Sequence, residues 1–376
     1  MKILMLLTKL FRNDPRVYNE AKALVDAGHD VLVLDWARHD TDKKLPQQET
    51  IDGIMAVYIH NTRLINMLPG DVFRNPVWWR TAYRKALELH KSGEFRFDAV
   101  HCHDLDTLQA GVWLKKKLGV KLVYDAHEIF GYMIEKDYPA AVSRAAFWME
   151  KRLLSAVDCL ITVNAACSDY FTELIGMGAI LVDNCKTPEK EYLPPTRDQF
   201  TVIYIGVLSS ARFFPQALDV VGHLDGVRMV IGAKREALYD EVEEIAKRYP
   251  NIEFLGPVPG KEVLPITREC HCILCMFDPS DRLNRIGSPN KLFEAMATGR
   301  PIIVTKGTHA GDVAESEQCG LAIEYSAAGL AGALEMLRND PALCERLGRN
   351  GLSAAKREYN WQAQANNLVK LYGELE

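Results

Sequence analysis

The sequence predicts an α/β protein with two doubly wound domains, and its length, its periodicity and a proline-rich break all support this. The chain has 376 residues, of which 48% are hydrophobic, enough for two domains with buried cores. An apolar strand at residues 2–8, a helix at 15–27 and a strand at 31–34 form a βαβ unit, which implies a parallel sheet. The same alternation restarts with a strand at residues 201–205.

The break between the two alternating regions marks the expected domain boundary. Residues 185–199 contain three prolines among many charged side chains, a composition typical of an interdomain linker. We therefore expect an N-terminal domain at residues 1–184 and a C-terminal domain at 200–358.

Further strands and helices continue the pattern in each domain. Short apolar runs bounded by turn residues predict the strands, and longer amphipathic runs predict the helices. In the N-terminal domain we expect strands at 55–59, 98–103, 121–124, 159–162 and 180–182, and helices at 108–118, 140–155 and 165–175. In the C-terminal domain we expect strands at 227–231, 252–256, 272–276, 302–304 and 321–323, and helices at 327–337 and 341–358.

The first strand-to-helix loop argues against a nicotinamide enzyme, because residues 9–14 lack the GxGxxG fingerprint of dinucleotide-binding folds. Asp14 and Pro15 start the following helix, so Arg16 lies in its first turn and is a candidate substrate ligand. The alternative is a surface arginine that follows a capping aspartate.

The segment SPNKLFEAMATGRPIIVT, residues 288–305, predicts a capped helix that leads into a core strand. Ser288 suits the N-cap and Pro289 the first helical position, while Gly299 can close the helix in a left-handed conformation. Lys291 and Glu294 are three residues apart and share one helix face. An ammonium near free backbone N–H groups favours a phosphate, and a carboxylate one turn on can accept from two ribose hydroxyls. Spacing alone leaves open an ordinary surface Lys–Glu pair.

The segment PNKLFEAMATGRPII resembles the donor-site helix of the retaining GT-B glycosyltransferases of family 4. Three further segments resemble the same family: DPRVYNEAKALVDAGHDV, VYDAHE and the Tyr-Asn-Trp sequence that opens the last helix. Together they cover nearly the whole chain. The resemblance implies the GT-B fold, in which two Rossmann-like domains face a cleft and a C-terminal helix, here residues 359–376, crosses back to the N-terminal domain.

The resemblance assigns donor-binding roles to residues of the C-terminal domain. Glu294 matches the residue that holds the nucleotide ribose. Ser288, Asn290 and Lys291 match the region that faces the sugar-diphosphate. The glycine turn at Gly206 and the following Arg212 match elements that clamp the diphosphate.

In the N-terminal domain the resemblance points to the segment Asp125-Ala126-His127-Glu128. A histidine just past the end of a parallel strand lies where doubly wound sheets bind ligands. His127 matches the family residue that contacts the donor sugar; the alternative is a buried structural histidine. Glu128 is expected to orient His127 or to meet the acceptor. Arg16 lies in a unit that borders the donor and acceptor sugars in the family.

Two departures from the family pattern concern the donor site. A second glutamate usually stands eight residues before the ribose ligand, but Ile286 occupies that position. Either Asp281 or Asp278 supplies the missing carboxylate from the loop, or the donor is held differently. Val207 stands where an arginine is common, so Lys291 and two nearby arginines are expected to supply the charge; these are Arg282 and Arg285.

Two segments contain metal-ligand residue types. HCHDLD, residues 101–106, offers a histidine pair and an Asp104–Asp106 pair that matches the DxD of metal-dependent transferases; the alternative is a helix cap. In ECHCILC, residues 269–275, Cys272 and Cys275 should point to opposite sides of a strand, which favours buried thiols over zinc. We expect neither a metal nor another cofactor.

Composition restricts location and partners. The net charge of −5 and the pI of about 6.1 argue against nucleic-acid binding. No run of about 18 apolar residues or signal-peptide pattern is present, and the nine cysteines are scattered, so we expect a cytoplasmic protein with reduced thiols. Residues 63–89 mix aromatic and basic side chains, which fits either a surface resting on an anionic membrane or a helix with its aromatics in the core.

These observations predict a retaining, metal-independent hexosyltransferase. The expected donor is a UDP- or GDP-sugar. The expected acceptor is a glycan or a lipid-linked molecule in cell-surface polysaccharide or glycolipid synthesis, on the inner face of the cytoplasmic membrane. The alternatives are a sugar-nucleotide epimerase of the same fold and a non-catalytic sugar-nucleotide-binding subunit.

Overall fold

The chain folds into two compact units, each with its own parallel sheet. The structure, a computed structural model, describes residues 1–39, 42, 44–236 and 238–375. Unit 1 comprises Met1–Asp183 and Gln364–Glu376, and unit 2 comprises Asn184–Ala363. The segment expected to be a linker, residues 185–199, therefore belongs to unit 2. Glu376, the last residue of the expected C-terminal helix, lies outside the described residues.

Unit 1 alternates strands and helices from its first residues. Its strands are β1 (Lys2–Leu6), β2 (Asp30–Ala37), β3 (Gln48–Ile51), β4 (Ile54–His60), β5 (Ala99–His103), β6 (Lys121–Ala126), β7 (Cys159–Thr162) and β8 (Ile180–Leu181). Its helices are α1 (Pro15–Asp26), α2 (Arg63–Met67), α3 (Asp71–Ser92), α4 (Leu105–Leu118), α5 (Phe130–Ile134), α6 (Ala140–Leu154) and α7 (Ala165–Ile175). Most of the final helix, α16 (Trp361–Leu375), belongs to unit 1, where buried Tyr372 places its hydroxyl 2.9 Å from His101 Nδ1.

The unit 1 sheet has eight strands in the order β3-β4-β2-β1-β5-β6-β7-β8. Only β3 is antiparallel, a short edge strand that the sequence pattern did not predict. The central strands are buried along nearly their whole length because helices cover both faces of the sheet. Chain order reverses between β1 and β5, and ligands of doubly wound folds bind at the carboxyl ends of strands at such a switch point.

Unit 2 repeats the architecture with a six-stranded, all-parallel sheet in the order β11-β10-β9-β12-β13-β14, so its switch point lies between β9 and β12. The strands are β9 (Phe200–Ile205), β10 (Val227–Gly232), β11 (Ile252–Gly256), β12 (Cys272–Cys275), β13 (Ile302–Thr305) and β14 (Gly320–Ile323). The helices are α8 (Gln216–Gly222), α9 (Tyr239–Ala246), α10 (Gly260–Glu269), α11 (Arg282–Ile286), α12 (Asn290–Thr298), α13 (His309–Ser316), α14 (Ala327–Asn339) and α15 (Pro341–Arg357).

The segment at residues 63–89 forms α2 and most of α3, and part of it builds the core. Trp78 is buried and stacks on Trp36 with ring centroids 5.8 Å apart, while Arg80 and Arg84 are exposed. This agrees with aromatic residues in the core and charges in water. Leu64 and Phe73 nevertheless remain exposed at the start of the segment. No helix among the described residues is long and apolar enough to span a membrane.

Candidate functional site

The candidate donor site of unit 2 surrounds the carboxyl end of β9, at the switch point of the sheet. The chain leaves β9 at Gly206, whose N–H donates to the carbonyl of Gly232 at 2.9 Å. Helix α12 packs behind this end of the sheet. It begins at Asn290, with Pro289 extended at the cap position and no side-chain cap. The prediction that Ser288 is the N-cap and Pro289 the first helical residue was therefore wrong by one position, because the chain stays extended through the proline.

The far end of α12 follows the sequence prediction. Gly299 adopts the left-handed conformation with φ of 67°, where its N–H satisfies carbonyls of the last helical turn. Buried strand β13 starts three residues later. The left-handed Gly299 and the buried strand β13 thus anchor the C-terminal end of α12 to the core. This fixes the direction in which the polar face of the helix points.

Lys291 lies in the first turn of α12 and is only 7% exposed. Its Nζ lies 4.3 Å from the centroid of the Tyr204 ring. A Cβ atom at position 206 would approach this Nζ to 2.6 Å, so glycine there leaves room for the ammonium. The structure thus brings together Gly206 and Lys291, which the sequence predicted separately as donor-site elements.

Arg212 faces the same region from a short 3-10 helix that follows the glycine turn, residues 210–212. Its guanidinium lies 4.5 Å from the centroid of the Phe277 ring. Neither Lys291 nor Arg212 forms an ion pair with any other described residue. Burial lowers the pKa of Lys291, while Cys275 and the carboxyl of Glu294 oppose the decrease and the positive charge of Arg212 adds to it. Because these two cations contact aromatic rings and not carboxylates, they favour the binding of an anion.

Glu294 follows Lys291 by one turn and is half-buried. Burial raises the pKa of its carboxyl, while Lys291 and Lys186 oppose the increase. At the helix start, Asn290 accepts a hydrogen bond from the Asn184 side chain at 2.7 Å through its Oδ1. The roles expected for Glu294, Ser288 and Asn290 remain predictions.

Ile286 occupies the position of the usual family glutamate, and the polar residues near it stabilise the local structure. Asp281 caps α11 by accepting from the Leu283 N–H at 2.9 Å, and Asp278 accepts from the Ser280 N–H at the same distance. Ile286 is the last residue of α11 and is half-buried. The carbonyl of Val207 accepts from the Tyr204 hydroxyl. A substrate role for Asp281 remains a prediction, now for a residue that also caps the start of a helix.

In unit 1, His127 follows β6 directly, and its side chain is 14% exposed. Its Nε2 lies 3.1 Å from Asp125 Oδ2, and its Nδ1 lies 3.5 Å from Asp104 Oδ2. Burial alone would lower the pKa of His127, but the carboxylates of Asp104 and Asp125 outweigh burial and raise it. The imidazole therefore tends to carry a proton, and a small part of its side chain remains exposed. Glu128, the next residue, is exposed.

Arg16 is buried, so the alternative of a surface arginine was wrong, while its role as a substrate ligand remains a prediction. Its guanidinium is buried and donates from Nε to Glu20 at 2.9 Å and from Nη2 to Asp125 at 2.7 Å. Asp125 thus joins Arg16 to His127, so the structure links two predicted site residues through a third that was not singled out. The spacing of Arg16 and Glu20, four apart on a helix, was the available sequence signal for the first half of this network.

The remaining members of the network are His101 and His103 on β5. Their rings stack with centroids 4.4 Å apart and planes inclined by 23°. Burial lowers the pKa of His101 and lowers that of His103 to about 3. Asp125 is held ionised because Arg16 and His127 lower its pKa well below the ordinary value against the effect of burial. Burial and Asp125 raise the pKa of Glu20.

One group of side chains has metal-ligand composition among the described residues. Ligand atoms of Glu20, His101, His103 and Asp125 all lie within 4.8 Å of one another. The nitrogen lone pairs of imidazoles lie in the ring planes, and the two nearly parallel planes here do not converge on one point. Both carboxylates are also engaged by Arg16. The arrangement fits a shared-proton network better than a metal site.

The Asp104–Asp106 pair and the cysteines of β12 make ordinary structural contacts. Asp104 stands at the start of α4 with φ of 61° and makes no side-chain cap; it accepts from the His127 N–H at 3.2 Å instead. Asp106, inside the first turn, accepts a hydrogen bond from the Thr8 hydroxyl. Asp104 thus occupies the N-cap position of α4, as the alternative interpretation had it, but without a side-chain cap. Cys272 and Cys275 are buried free thiols.

Comparison with known proteins agrees with this architecture. The model described as "Glycosyltransferase Family 4" matches residues 16–182, and the model described as "Glycosyl transferases group 1" matches residues 199–340. Glycogen synthase of Mycobacterium tuberculosis is 23% identical over 95% of this chain and 89% of its own length.

Solved structures resemble the whole chain. Sucrose-phosphate synthase of Thermosynechococcus elongatus superimposes with a TM-score of 0.77 at 18% identity, covering 100% of this chain and 99% of the other. HepE of Anabaena, solved in complex with UDP-glucose, gives 0.73 at 15% identity and covers 100% of both chains. Two consecutive family matches on two doubly wound units show that the chain belongs to the GT-B glycosyltransferases, with a family 4 region followed by a group 1 region.

Proposed function

We propose that this glycosyltransferase moves a hexose from a nucleotide-diphosphate sugar to an acceptor hydroxyl with retained anomeric configuration and without a metal ion. The observation that carries the proposal is the pair of cations Lys291 and Arg212, which lack ion pairs among the described residues and meet at the switch point of unit 2. A diphosphate supplies the negative charge that these residues lack. The N-terminus of α12 adds backbone N–H donors to the same region.

The proposed reaction transfers the sugar and leaves negative charge on the departing diphosphate. The bond between the sugar C1 and the donor diphosphate breaks, and the acceptor oxygen bonds to C1 on the same face. The acceptor proton passes to the departing phosphate oxygen. Negative charge grows on the diphosphate in the transition state, where fixed cations stabilise it most. Lys291 and Arg212 are the proposed catalytic residues for this step.

The other site residues have proposed binding roles. Glu294, one turn beyond Lys291, accepts hydrogen bonds from the donor ribose hydroxyls. His127, which tends to hold a proton beside Asp104 and Asp125, donates to the donor sugar. Because HepE was solved with UDP-glucose, a UDP-sugar is the first donor to test.

The proposed acceptor is a glycan or lipid-linked molecule of a cell-surface polysaccharide or glycolipid pathway, met at the inner face of the cytoplasmic membrane. Support comes from the sequence resemblance and from exposed apolar side chains beside basic ones at the start of α3, such as Phe73 and Arg74.

The first experiment is a thermal-shift panel of UDP, GDP and ADP and their glucose conjugates, with and without EDTA. A ligand that binds only the folded state raises the melting temperature. We expect a selective shift from one nucleotide family that EDTA does not change, and Glu294→Ala should reduce it. A shift that EDTA abolishes, or no shift from any nucleotide, would contradict the proposal.

The stereochemical part needs a product. With the donor identified, the coupling constant of the new anomeric proton reports configuration, and we expect that of the donor. Conversion of the donor sugar without an acceptor would instead identify an epimerase. Donor binding without turnover of any acceptor would identify a binding subunit.

A further inference from the structure

Unit 1 contains a pocket of about 610 Å³ at the carboxyl ends of its central strands. Thr8 and Lys9 follow β1 and reach it from one side, and Asp104 and Asp106 follow β5 and reach it from the other. These strands flank the switch point of the unit 1 sheet, where doubly wound folds bind their ligands. All the residues that line the pocket belong to unit 1.

The walls of the pocket are chemically unlike its floor. One wall is formed by α5, α6 and the loop between them and is lined mainly by apolar side chains: Phe130, Met133, Ile134, Tyr138, Val142 and Met149. Helix α3 adds Trp79 and Val72. Met133 and Val72 are each more than 40% exposed, so apolar surface continues to the mouth of the pocket. Such a wall favours an apolar portion of a ligand through burial of its surface.

The floor is polar, but its cations are already engaged. Lys9 Nζ lies 2.8 Å from Asp14 Oδ2, and Arg38 Nη2 lies 2.8 Å from Asp71 Oδ2. The lining contains four carboxyl groups and two permanent cations: Asp71, Asp104, Asp106 and Asp137 against Lys9 and Arg38. Burial and the neighbouring Asp104 raise the pKa of Asp106 to about 7, so it is partly protonated near neutral pH. An acidic lining disfavours phosphate and favours hydroxyl groups, which carboxylates accept from.

We infer that this pocket binds an acceptor that is neutral and amphipathic: a hydroxyl-bearing head, such as a sugar, joined to an alkyl or aryl group. The head meets the acidic floor and the apolar group lies against α5 and α6. The assignment of this ligand as the acceptor rests on the proposed function. The chemical class of the ligand rests on the pocket itself, because the lining that selects it lies outside the donor site.

Binding of simple glycosides to the full chain, without donor, tests the inference. Octyl β-D-glucopyranoside below its critical micelle concentration is compared with methyl β-D-glucopyranoside and octyl phosphate, using the fluorescence of pocket residue Trp79 and calorimetry. Each fully buried methylene favours binding by roughly fourfold. We expect the octyl glycoside to bind at least about tenfold more tightly than the methyl glycoside, and octyl phosphate to bind more weakly than the octyl glycoside.

A matched pair of variants locates the effect. Met133→Gln places a polar side chain of similar size on the pocket wall and should reduce the octyl advantage several-fold. Met336→Gln changes a similarly exposed methionine on α14 of unit 2 and should leave the advantage unchanged.

The possible results separate this inference from the proposed donor site. Equal affinity for the methyl and octyl glycosides, tighter binding of octyl phosphate, or an equal response of the two methionine variants would overturn the ligand class. Octyl selectivity that depends on Met133, in a protein that binds no nucleotide, would support the pocket and overturn the donor proposal.

Discussion

Unit 1 and unit 2 both bury cations, but they treat the charge in opposite ways. In unit 1 the Arg16 guanidinium is bound by the carboxylates of Glu20 and Asp125 at 2.9 and 2.7 Å. In unit 2 the Lys291 ammonium is equally shielded from solvent but faces the Tyr204 ring and a second cation, Arg212. A buried charge with fitted partners stabilises the native arrangement, whereas a buried charge without one favours binding of a ligand that supplies it.

This difference distinguishes a buried cation that stabilises the fold from one that is available to bind a ligand. Arg16 holds α1 against β6 through Asp125, and the same aspartate accepts from His127. Arg16 is thus linked to His127 through Asp125. Lys291 is held in place by packing and forms no ion pair with the described residues, and the carboxyl of Glu294 one turn away compensates its charge only in part. Removing each cation should therefore have opposite consequences.

The largest expected effect is on the stability of unit 1. Arg16→Met leaves two buried carboxylates without their cation, which should lower the free energy of unfolding by about 3–5 kcal/mol. Arg12→Met is the matched control, because Arg12 pairs with Glu49 at an exposed position and should contribute less than about 1 kcal/mol. Urea denaturation measures both. A loss for Arg16→Met no greater than for the control would contradict a structural role for the network.

The second effect is on turnover, which Lys291→Met should reduce by about 10²–10³-fold, since removing one preorganised donor from a site of developing charge typically does so. Stability should not fall, because the variant removes an unpaired buried ammonium. Lys306→Met, at an exposed lysine near Glu324, should alter neither quantity. Unimpaired turnover together with a large loss of stability would make Lys291 a structural residue like Arg16.

The smallest effect concerns the pH dependence of stability. Burial raises the pKa of Asp35 to about 8, and burial raises that of Glu150 to about 7. Both values lie above the value near 4 expected in the unfolded chain, so the native state binds more protons and loses stability as the pH rises through the folded pKa. Between pH 6.5 and 8.5, His127, whose pKa is also raised, acts in the same direction.

Asp35→Asn tests this sign, because it should remove about 1–2 kcal/mol of the stability loss between pH 6.5 and 8.5. Asp35 Oδ2 accepts from the Phe11 N–H at 2.8 Å, and its Oδ1 has no hydrogen-bond partner among the described residues, so burial of the charged form is poorly compensated. Asp26→Asn, at an exposed position of α1, provides the control. An unchanged slope in Asp35→Asn would show that this carboxyl is ionised in the folded protein.

The sequence predicted the elements better than the partnerships between them. The helix and strand around Gly299 were predictable because a left-handed glycine, a proline and an apolar run act locally. The partner of Arg16 was not, because Asp125 lies 109 residues away and becomes its neighbour only through the parallel sheet. The prediction that Ser288 is the N-cap was wrong for a local reason, because the extended Pro289 displaces the helix start by one position.

The most direct test of the anion-binding role of Lys291 compares UDP with uridine. Calorimetric titration of both into the wild type and Lys291→Met separates diphosphate recognition from recognition of the nucleoside. We expect the variant to lose at least about tenfold in UDP affinity, the effect of losing one charge-assisted hydrogen bond, and to keep its uridine affinity. Equal losses of affinity for UDP and uridine, or no loss for UDP, would contradict the claim that Lys291 binds the diphosphate.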